Sequence, residues 1–399
     1  MKEPKIRFKG FSGEWEETKF GNLCSVAMCK RIFKHQTSPQ GDIPFYKIGT
    51  FGATPDAFIS RTLFEEYKKK YNYPQKGDIL ISAAGTIGRV VEYTGEECYY
   101  QDSNIVWLMH SDQLSNAFLK QLYPIINWSS LEGATIKRLY NGNILDTSFR
   151  LPLIAEQKLI ATFFTTLDAH LSASTSRLAS LKQMKAASLQ AMFPQEGETV
   201  PKVRFKGFEG EWKTRSLNNY AKKRTEKNVN RIYNVTLTNS AEFGIIDQRQ
   251  FFDHDISNSE NIDGYFVVRD KDFVYNPRIS ASAPVGPINQ NKLGYPGVMS
   301  PLYLVFEVKG INHDFLEIYF HTALWHKYMF DNGNSGARFD RLTISDDDFM
   351  RMPIPDISLA EQQSIASFFT SLDRQIALHT QRLEKLKQIK AACLDKMFV

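Results

Sequence analysis

The side chains that could carry out group-transfer chemistry in this 399-residue sequence do not form a complete catalytic motif. The stretch 276–279 (Asn-Pro-Arg-Ile) comes nearest to the Asn/Asp-Pro-Pro-aromatic motif with which an amino-methyltransferase holds a flipped base, but it lacks the second proline and the aromatic residue. The stretch 85–88 (Gly-Thr-Ile-Gly) is too short for a glycine-rich loop that binds a dinucleotide or a phosphate, and no Walker motif is present. We therefore predict that the chain itself is not an enzyme.

The acidic, histidine and cysteine residues do not favour a metal site. On a strand, Asp253 and Asp255 would share one face and His254 would point to the other, so we interpret this stretch as a solvated loop. His321 and His326 do not have the i, i+4 spacing of a helical zinc motif. The cysteines lack C-x-x-C spacing, which predicts reduced thiols, and they are Cys24, Cys29, Cys98 and Cys393.

The composition is that of an ordinary globular protein with a mild positive charge. The chain has 49 Lys and Arg residues against 44 Asp and Glu residues, a net charge of +5. This charge is compatible with DNA binding but does not require it. No apolar run approaches the roughly 18 residues of a membrane span, and the stretch 1–4 has no apolar signal region. We expect a cytoplasmic protein of about two to three domains with no membrane partner.

The elements that must position any site are arranged as an internal duplication. The stretch 4–15 returns as 201–212 with ten of its twelve residues identical. The stretch 155–193 returns as 360–398 with 22 of its 39 residues identical. Between these blocks, the stretches from about 16 to 150 and from about 213 to 351 are hardly alike. Because chance does not produce two such repeats, the sequence indicates two different domains on one duplicated frame.

The second repeated block predicts a long amphipathic helix in each copy. Its apolar residues alternate in steps of four and three, which is the a/d pattern of a coiled coil. These residues are Ile160, Phe164, Leu167, Leu171, Leu178 and Leu181 in the first copy, and Ile365, Phe369, Leu372, Ile376, Leu383 and Leu386 in the second. We expect the two helices to pack together, with the seam opening near Lys185 and Lys390, which share one register.

The variable stretches mix short apolar strands with turns, so each is predicted to be an α+β domain. The predicted strands are 79–81, 105–108, 265–268 and 302–306, with a turn at 141–142 and helical pieces around 314–330. Three pairs of segments correspond faintly between the domains, namely 44–50 with 232–238, 76–82 with 269–275, and 133–139 with 336–342. A shared fold with different surface loops explains this correspondence.

These motifs together resemble the specificity subunit of type I restriction-modification enzymes. The resemblance rests on the repeated, proline-preceded Ala-Glu-Gln-x-x-Ile-Ala helix start. It also rests on the strand Gly-Asp-Ile-Leu-Ile-Ser at 77–82, and on the Pro-Lys-Ile-Arg-Phe-x-Gly-Phe-x-Gly-x-Trp block that opens the first copy and nearly repeats in the second. It covers essentially the whole chain.

The resemblance implies an α+β architecture in which two α/β target recognition domains are separated and joined by two long antiparallel helices. The helices form a coiled coil, and the whole is pseudo-twofold symmetric. The implied segments are a first target recognition domain at 1–151, a spacer helix at 152–193, a linker at 194–200, a second target recognition domain at 201–352 and a second spacer helix at 353–399.

The resemblance also implies the partners. Each domain reads one half of an asymmetric, bipartite site in double-stranded DNA, and the helices set the spacing and dock two methyltransferase subunits. Adenine methylation, and cleavage by restriction/translocase subunits, take place in those partners. S-adenosylmethionine, ATP and Mg²⁺ are expected there, and no cofactor is expected in this chain. The alternative is a non-catalytic coiled-coil scaffold that holds two protein-binding domains without DNA.

Polar and basic residues in loops that follow strands are the candidates for DNA contact. Arg reads guanine and Asn reads adenine through paired hydrogen bonds in the major groove, whereas Lys and Ser more often bind phosphate. In the first domain the candidates are Lys47, Thr50, Thr86, Arg89, Lys137 and Arg138. In the second domain they are Asn239, Ser240, Arg278, Ser280, Ser282, Arg338 and Arg341.

Two further aromatic residues are candidates for partner binding. Phe163 and Phe368 lie off the helix seam, so they pack either on a reading domain or on a methyltransferase subunit. Their neighbours Phe164 and Phe369 fit the seam and are expected in the coiled-coil core.

Overall fold

The computed structural model describes residues 3–128, 138–251, 259–334 and 340–398. The chain divides into two compact units, Met1–Thr175 with Gln381–Val399, and Ser176–Thr380. Each unit contains a domain of mixed helices and strands together with a stretch of both long helices. The predicted α+β class is confirmed by this mixed content.

The first unit contains β1 to β9 and the helices α1 to α4. Its strands are β1 Glu16–Lys19, β2 Cys24–Ala27, β3 Ile43–Tyr46, β4 Phe58–Ile59, β5 Ile79–Ser82, β6 Val90–Glu92, β7 Tyr99–Tyr100, β8 Ile105–His110 and β9 Ser148–Leu151. Its helices are α1 Phe20–Leu23, α2 Arg61–Lys70, α3 Asn116–Leu122 and α4 Asn141–Asp146. A short 3-10 helix spans Lys34–Gln36. The long helix α5, Ile154–Ala191, begins in this unit.

The second unit contains β10 to β19 and the helices α6 to α9. Its strands are β10 Lys213–Ser216, β11 Ala221–Lys223, β12 Leu237–Ser240, β13 Gly244–Asp247, β14 Phe266–Val268, β15 Phe273–Tyr275, β16 Ile288–Gln290, β17 Gly297–Met299, β18 Leu304–Val308 and β19 Pro353–Asp356. Its helices are α6 Gln248–Phe251, α7 His313–Phe320, α8 His326–Asn332 and α9 Asp346–Met350, with 3-10 turns at Leu217–Asn219 and Ser259–Gly264. The long helix α10, Leu359–Met397, begins here.

The two units share their main sheets, as the faint correspondence in sequence predicted. The antiparallel order β2-β8-β5-β6 in the first unit matches β11-β18-β15-β16 in the second. The pair β1-β9 likewise matches β10-β19. The additional sheets differ, since the first unit has β4-β3-β7 and the second has β12-β13 and β14-β17. The divergent stretches therefore fold on a common central sheet.

A central strand separates two apolar cores in each unit. In β5, Ile79 and Ile81 point into one core and Leu80 into another. In β15, Phe273 points into one core and Val274 into the other. This follows from the alternation of side chains along a strand. Because both faces are covered, each of these strands is buried at the centre of its unit.

The long helices pack antiparallel within each unit. In the first unit, Phe164 near the start of α5 shares a core with Leu394 and Met397 near the end of α10. In the second unit, Phe369 near the start of α10 shares a core with Met192, just beyond the end of α5. The predictions that Phe164 and Phe369 belong to the helix core are confirmed.

The seam does not open at its lysines as the sequence suggested. Lys390 Nζ lies 2.5 Å from Asp168 Oδ1 in the first unit, and Lys185 Nζ lies 2.5 Å from Asp373 Oδ1 in the second. The prediction failed because it considered each helix alone, whereas the facing helix supplies an aspartate at each position. Each lysine thus closes the seam with an ion pair.

Two local predictions from sequence are corrected, at 141–142 and at 302–306. The stretch 141–142 begins helix α4 because the Asn143 side chain accepts a hydrogen bond from the Tyr140 amide, at 2.9 Å, and starts the turn. The helical pieces expected around 314–330 are confirmed as α7 and α8, which are separated where the Thr322 hydroxyl donates to the carbonyl of Tyr319 at 2.7 Å. The strand expected at 302–306 begins only at Leu304.

Candidate nucleic-acid interface

The two repeated blocks bind each other through an arginine and a glutamate. In the second unit, Arg204 donates from Nε and Nη2 to the two carboxylate oxygens of Glu361, at 2.7 and 2.9 Å. In the first unit, Arg7 makes the same fork with Glu156 at 2.8 and 2.9 Å. Paired, charged hydrogen bonds of this kind fix orientation as well as distance. The repeated Glu therefore ties the opening segment of each copy to the start of its long helix.

The glutamine that follows ties the helix start to the mixed domain. Gln157 Oε1 accepts a hydrogen bond from the Ser115 amide at 3.0 Å, at the start of α3. Gln362 Oε1 accepts from the Asn312 amide at 2.7 Å, at the start of α7. Both glutamine side chains are buried. The Ala-Glu-Gln motif thus positions each mixed domain on its helix.

In the second unit, a depression of about 410 Å³ brings most of the predicted DNA-contact residues together. It lies beside the loop that follows β15, at one end of the fixed central strand. Predicted residues that line it are Asn239, Ser240, Arg278, Ser280 and Arg341. We name this surface the second reading face.

Arg278 and Arg341 lie side by side at the centre of the second reading face. They are partners in an antiparallel bridge. Two backbone hydrogen bonds flank the bridge and hold it in place, from the Ile279 amide to the Asp340 carbonyl at 3.0 Å and from the Leu342 amide to the Pro277 carbonyl at 2.9 Å. The Arg278 side chain is 66% exposed, and Arg341 is 27% exposed. Like charges opposite each other on a sheet repel, so this pair favours an anionic ligand.

The polar candidates around these arginines have unequal access to a ligand. Ser280 and Ser282 are exposed at the tip of a turn, with their hydroxyls 3.2 Å apart, but only Ser280 of the two lines the depression. Ser240 Oγ accepts from the amides of Glu242 and Phe243 and so closes a turn. Asn239 is 2% exposed, and its amide bonds to protein groups. Its side chain therefore lies beneath the reading face.

In the first unit, the candidates Lys47, Thr50, Thr86 and Arg89 lie on two adjoining loops. Arg89 joins the loops, because its guanidinium donates to the carbonyl of Phe51 at 2.9 Å. Thr50 Oγ1 accepts from the Lys47 amide at 3.1 Å and shapes its own loop. Lys47 also pairs with Asp56 at 2.9 Å. Thr86 is exposed at the tip of the turn that follows β5.

Arg138 stands in the first unit where Arg341 stands in the second. It is the bridge partner of Ala84, directly after the central strand, as Arg341 is the bridge partner of Arg278. Its guanidinium donates to the Ser103 carbonyl at 3.2 Å and lies 5.6 Å from the centre of the exposed Tyr140 ring. Each unit therefore places an arginine in an isolated bridge just beyond the end of its central strand. We name the surface around Arg138 and Thr86 the first reading face.

The remaining candidates are placed differently or not described. Lys137 and Arg338, and the Asp253–Asp255 stretch, lie outside the described residues. Phe163 packs edge-on against Phe8, with ring centres 6.1 Å apart, and Phe368 packs likewise on Phe205 at 6.2 Å. These contacts lie within the phenylalanines' own units, and a role in binding a partner stays a prediction.

Sequence reasoning missed residues that line the second reading face. Leu302 and Tyr303 were assigned to a strand but lie in the turn before β18, where the Tyr303 amide bonds to the Ser300 carbonyl at 3.0 Å. Leu302 is 58% exposed beside the arginines. A Ser-Pro-Leu-Tyr stretch before an apolar run carries a turn signal that could have identified them.

Within the described ranges, no three or more His, Cys, Asp or Glu side chains are grouped so that they could bind a metal ion. In the same part of the chain, no helix combines the length and apolar character that crossing a membrane requires.

A family model for the type I restriction modification DNA specificity domain matches residues 12–183 and 210–388. A putative type I restriction enzyme specificity subunit of Haemophilus influenzae is 51% identical over 159 residues. That match covers 40% of this chain and spans only 41% of the relative's length.

Solved structures show the same fold. The S subunit of a type I restriction-modification system from M. genitalium is similar over 100% of this chain and 99% of its own, with a TM-score of 0.57 and 13% identity. A chain from a structural study of complex assembly and conformational transition in the type I restriction-modification system covers 96% of this chain and 97% of its own, with a TM-score of 0.50 and 14% identity.

The family model matches each copy from the mixed domain into the following long helix, which is the duplicated layout that the sequence indicated. The resemblance is thereby confirmed. This chain belongs to the type I restriction-modification DNA specificity family.

Proposed function

We propose that this chain is the DNA-reading subunit of a type I restriction-modification complex and that each unit reads one half of an asymmetric, bipartite target. The observation that carries the proposal is the arginine at the same bridge position of both central sheets, Arg138 in one unit and Arg341 in the other. The surrounding side chains differ between the units, so the two half-sites differ in sequence.

The residues of each reading face have complementary tasks. An arginine binds guanine through the N7 and O6 atoms in the major groove, and Arg278, the more exposed of the bridge pair, is suited to this contact. Arg341 and the Ser280 hydroxyl are suited to the adjacent phosphates. In the first reading face, Ala84 stands opposite Arg138 where the second has Arg278, so Arg138 is the arginine suited to the base contact. Thr86 is suited to a phosphate, with Lys47 towards the rim.

The long helices supply the frame. We propose that they set the spacing between the half-sites and dock two methyltransferase subunits, and that restriction/translocase subunits join this assembly in the cytoplasm. Adenine methylation then takes place in the methyltransferase subunits, with S-adenosylmethionine bound there and ATP and Mg²⁺ used by the translocases. The incomplete motifs at 276–279 and 85–88 support a non-catalytic role for this chain.

Coexpression with a methyltransferase subunit tests the proposal. Long-read methylome sequencing should then detect adenine methylation at one bipartite motif, and the motif should disappear when this chain is omitted. An unchanged methylome would contradict the proposal.

Salt dependence separates DNA reading from the alternative of a protein scaffold. Binding through phosphates weakens steeply as salt rises, because bound cations are released from the DNA. Binding of the purified complex to a duplex that carries the motif should therefore fall by orders of magnitude between 50 and 200 mM salt. A DNA affinity too weak to measure at low salt would favour the scaffold.

A further inference from the structure

Three asparagines form a linked layer at the floor of the second reading face, where Asn239 and Asn276 line the depression. Asn239 lies on β12, Asn276 follows β15 and Asn289 lies on β16. Asn289 Nδ2 donates to Asn239 Oδ1 at 2.7 Å, and Asn276 Nδ2 donates to the backbone carbonyl of Asn239 at 2.8 Å. The layer therefore joins three segments that come from different parts of the sequence.

The layer is joined to the exposed Arg278 by one hydrogen bond to its backbone amide. The backbone amide of Arg278 donates to Asn276 Oδ1 at 3.0 Å. The stem of the loop is also tightly packed, since a Cβ on Gly286 would lie 2.0 Å from the backbone oxygen of Asn276. Gly286 has φ of +84°, which favours glycine. Arg278 thus stands on a stem that has little freedom to shift.

The chemistry of the layer requires asparagine. Asn239 is 2% exposed and Asn289 is 7% exposed, so their amide groups need partners within the protein. Asn239 donates to the carbonyls of Val274 and Pro287, at 2.7 and 3.2 Å, while it accepts from Asn289. A carboxylate cannot donate these bonds, and an apolar side chain can neither donate nor accept. A fully bonded buried network of this kind specifies one arrangement of the backbone around it.

We propose that Asn239, Asn276 and Asn289 are positioning residues that fix Arg278 for base recognition without touching DNA themselves. They then determine specificity at the base pair that Arg278 contacts. The inference rests on the proposed function of the second reading face, and it changes the role expected for Asn239 from base contact to support.

The variant Asn289→Asp tests the inference, because it keeps the shape of the side chain but replaces the Nδ2 donor with a carboxylate oxygen that faces Asn239 Oδ1. Methylation rates of the purified complex are measured on a set of duplexes in which each base pair of the motif is changed in turn. We expect discrimination to fall roughly tenfold at the position that Arg278→Ala also relaxes, and to stay at the wild-type level elsewhere.

The double variant Arg278→Ala with Asn289→Asp separates positioning from general stability. If the layer acts through Arg278, the double variant discriminates at that position no worse than Arg278→Ala alone, since residues in one network are not additive. A double variant whose loss of discrimination equals the product of the two single-variant losses would overturn the inference.

Asn291→Asp is the matched control. Asn291 is also fully buried and donates to the carbonyls of Arg269 and Tyr295, both at 3.0 Å, but it does not bond to the Arg278 loop. We expect it to lower the melting temperature and to leave every base preference unchanged. A relaxed preference at the Arg278 position in this control would overturn the inference.

Should Asn289→Asp fail to fold, Asn276→Ala takes its place, because Asn276 is only half-buried. It removes the hydrogen bond to the Arg278 amide and should relax the same position, and an unchanged preference would overturn the inference. Failure of the proposed function is distinct, since the wild-type complex would then methylate no bipartite motif at all.

Discussion

Arg278 and Arg341 lie opposite each other in an antiparallel bridge, and both guanidinium groups lie 3.9 Å from the same carboxylate oxygen of Asp340. One carboxylate balances one of the two positive charges. Among the described residues, the bridge therefore keeps one positive charge in excess on an open surface beyond the end of the central strand. We expect a DNA phosphate or the acceptor edge of guanine to be its further partner.

Arg278→Ala should relax one base position of the second half-site and cost about 1–3 kcal/mol of binding free energy on the cognate duplex. The reason is the loss of a paired hydrogen bond to one base, with the bridge backbone left intact. Equilibrium binding to single-substitution duplexes measures this. Arg269→Ala is the control, since Arg269 is also exposed and pairs with Glu226 away from the depression. Equal losses in the two variants would contradict a specific role for Arg278.

Arg204→Met should lower the free energy of unfolding by about 3 kcal/mol, because it leaves the Glu361 carboxylate, 3% exposed, without its fork of hydrogen bonds. Denaturant titration measures the change. The control is Arg351→Met, which breaks a solvent-exposed pair with Asp348 and should change the free energy of unfolding far less. A similar cost for both would mean that the repeated Arg and Glu do not tie the blocks together.

The seam ion pairs can be tested by exchanging their charges. Lys390→Glu places two carboxylates side by side and should lower the free energy of unfolding by about 1 kcal/mol, a small value because both partners are partly exposed. The exchange Asp168→Lys with Lys390→Glu should recover most of this loss. Thermal unfolding of the wild type and the two variants shows the pattern, and a double variant no more stable than Lys390→Glu would exclude a direct pair.

Burial of Cys29 makes the fold sensitive to alkali. Burial raises the pKa of the Cys29 thiol to about 12, from an ordinary value near 9. Above pH 9 the unfolded chain therefore releases a proton that the folded chain keeps, and stability falls as pH rises, by about 1 kcal/mol for this group at pH 10. Cys29→Ala should flatten the decline in the free energy of unfolding between pH 8 and 10. A decline as steep as in the wild type would contradict this.

The frame could be predicted from sequence because repetition and periodicity are local signals. The identical residues of 155–193 and 360–398 gave both long helices, and the apolar runs at 79–81 and 105–108 gave β5 and β8. The ion pair of Lys390 with Asp168 was missed because it depends on which helix faces which. Nothing in either helix alone contains that information.

The candidate site could be predicted only as residue types in loops. Arg278 and Arg341 were found because arginines after strands are suited to DNA, but their bridge joins segments about 60 residues apart and follows from the tertiary fold. The sequence placed Asn239 in a loop after a strand, whereas it lies on β12, where pairing with β13 and the approach of Asn289 bury it.

The central claim, that each unit reads its own half of the target, is tested most directly by the methylomes of two single variants, Arg138→Ala and Arg278→Ala, each coexpressed with the methyltransferase subunit. The account predicts that Arg138→Ala relaxes a base in one half of the motif and Arg278→Ala relaxes a base in the other half, with each opposite half unchanged. Relaxation of the same half by both variants would contradict it.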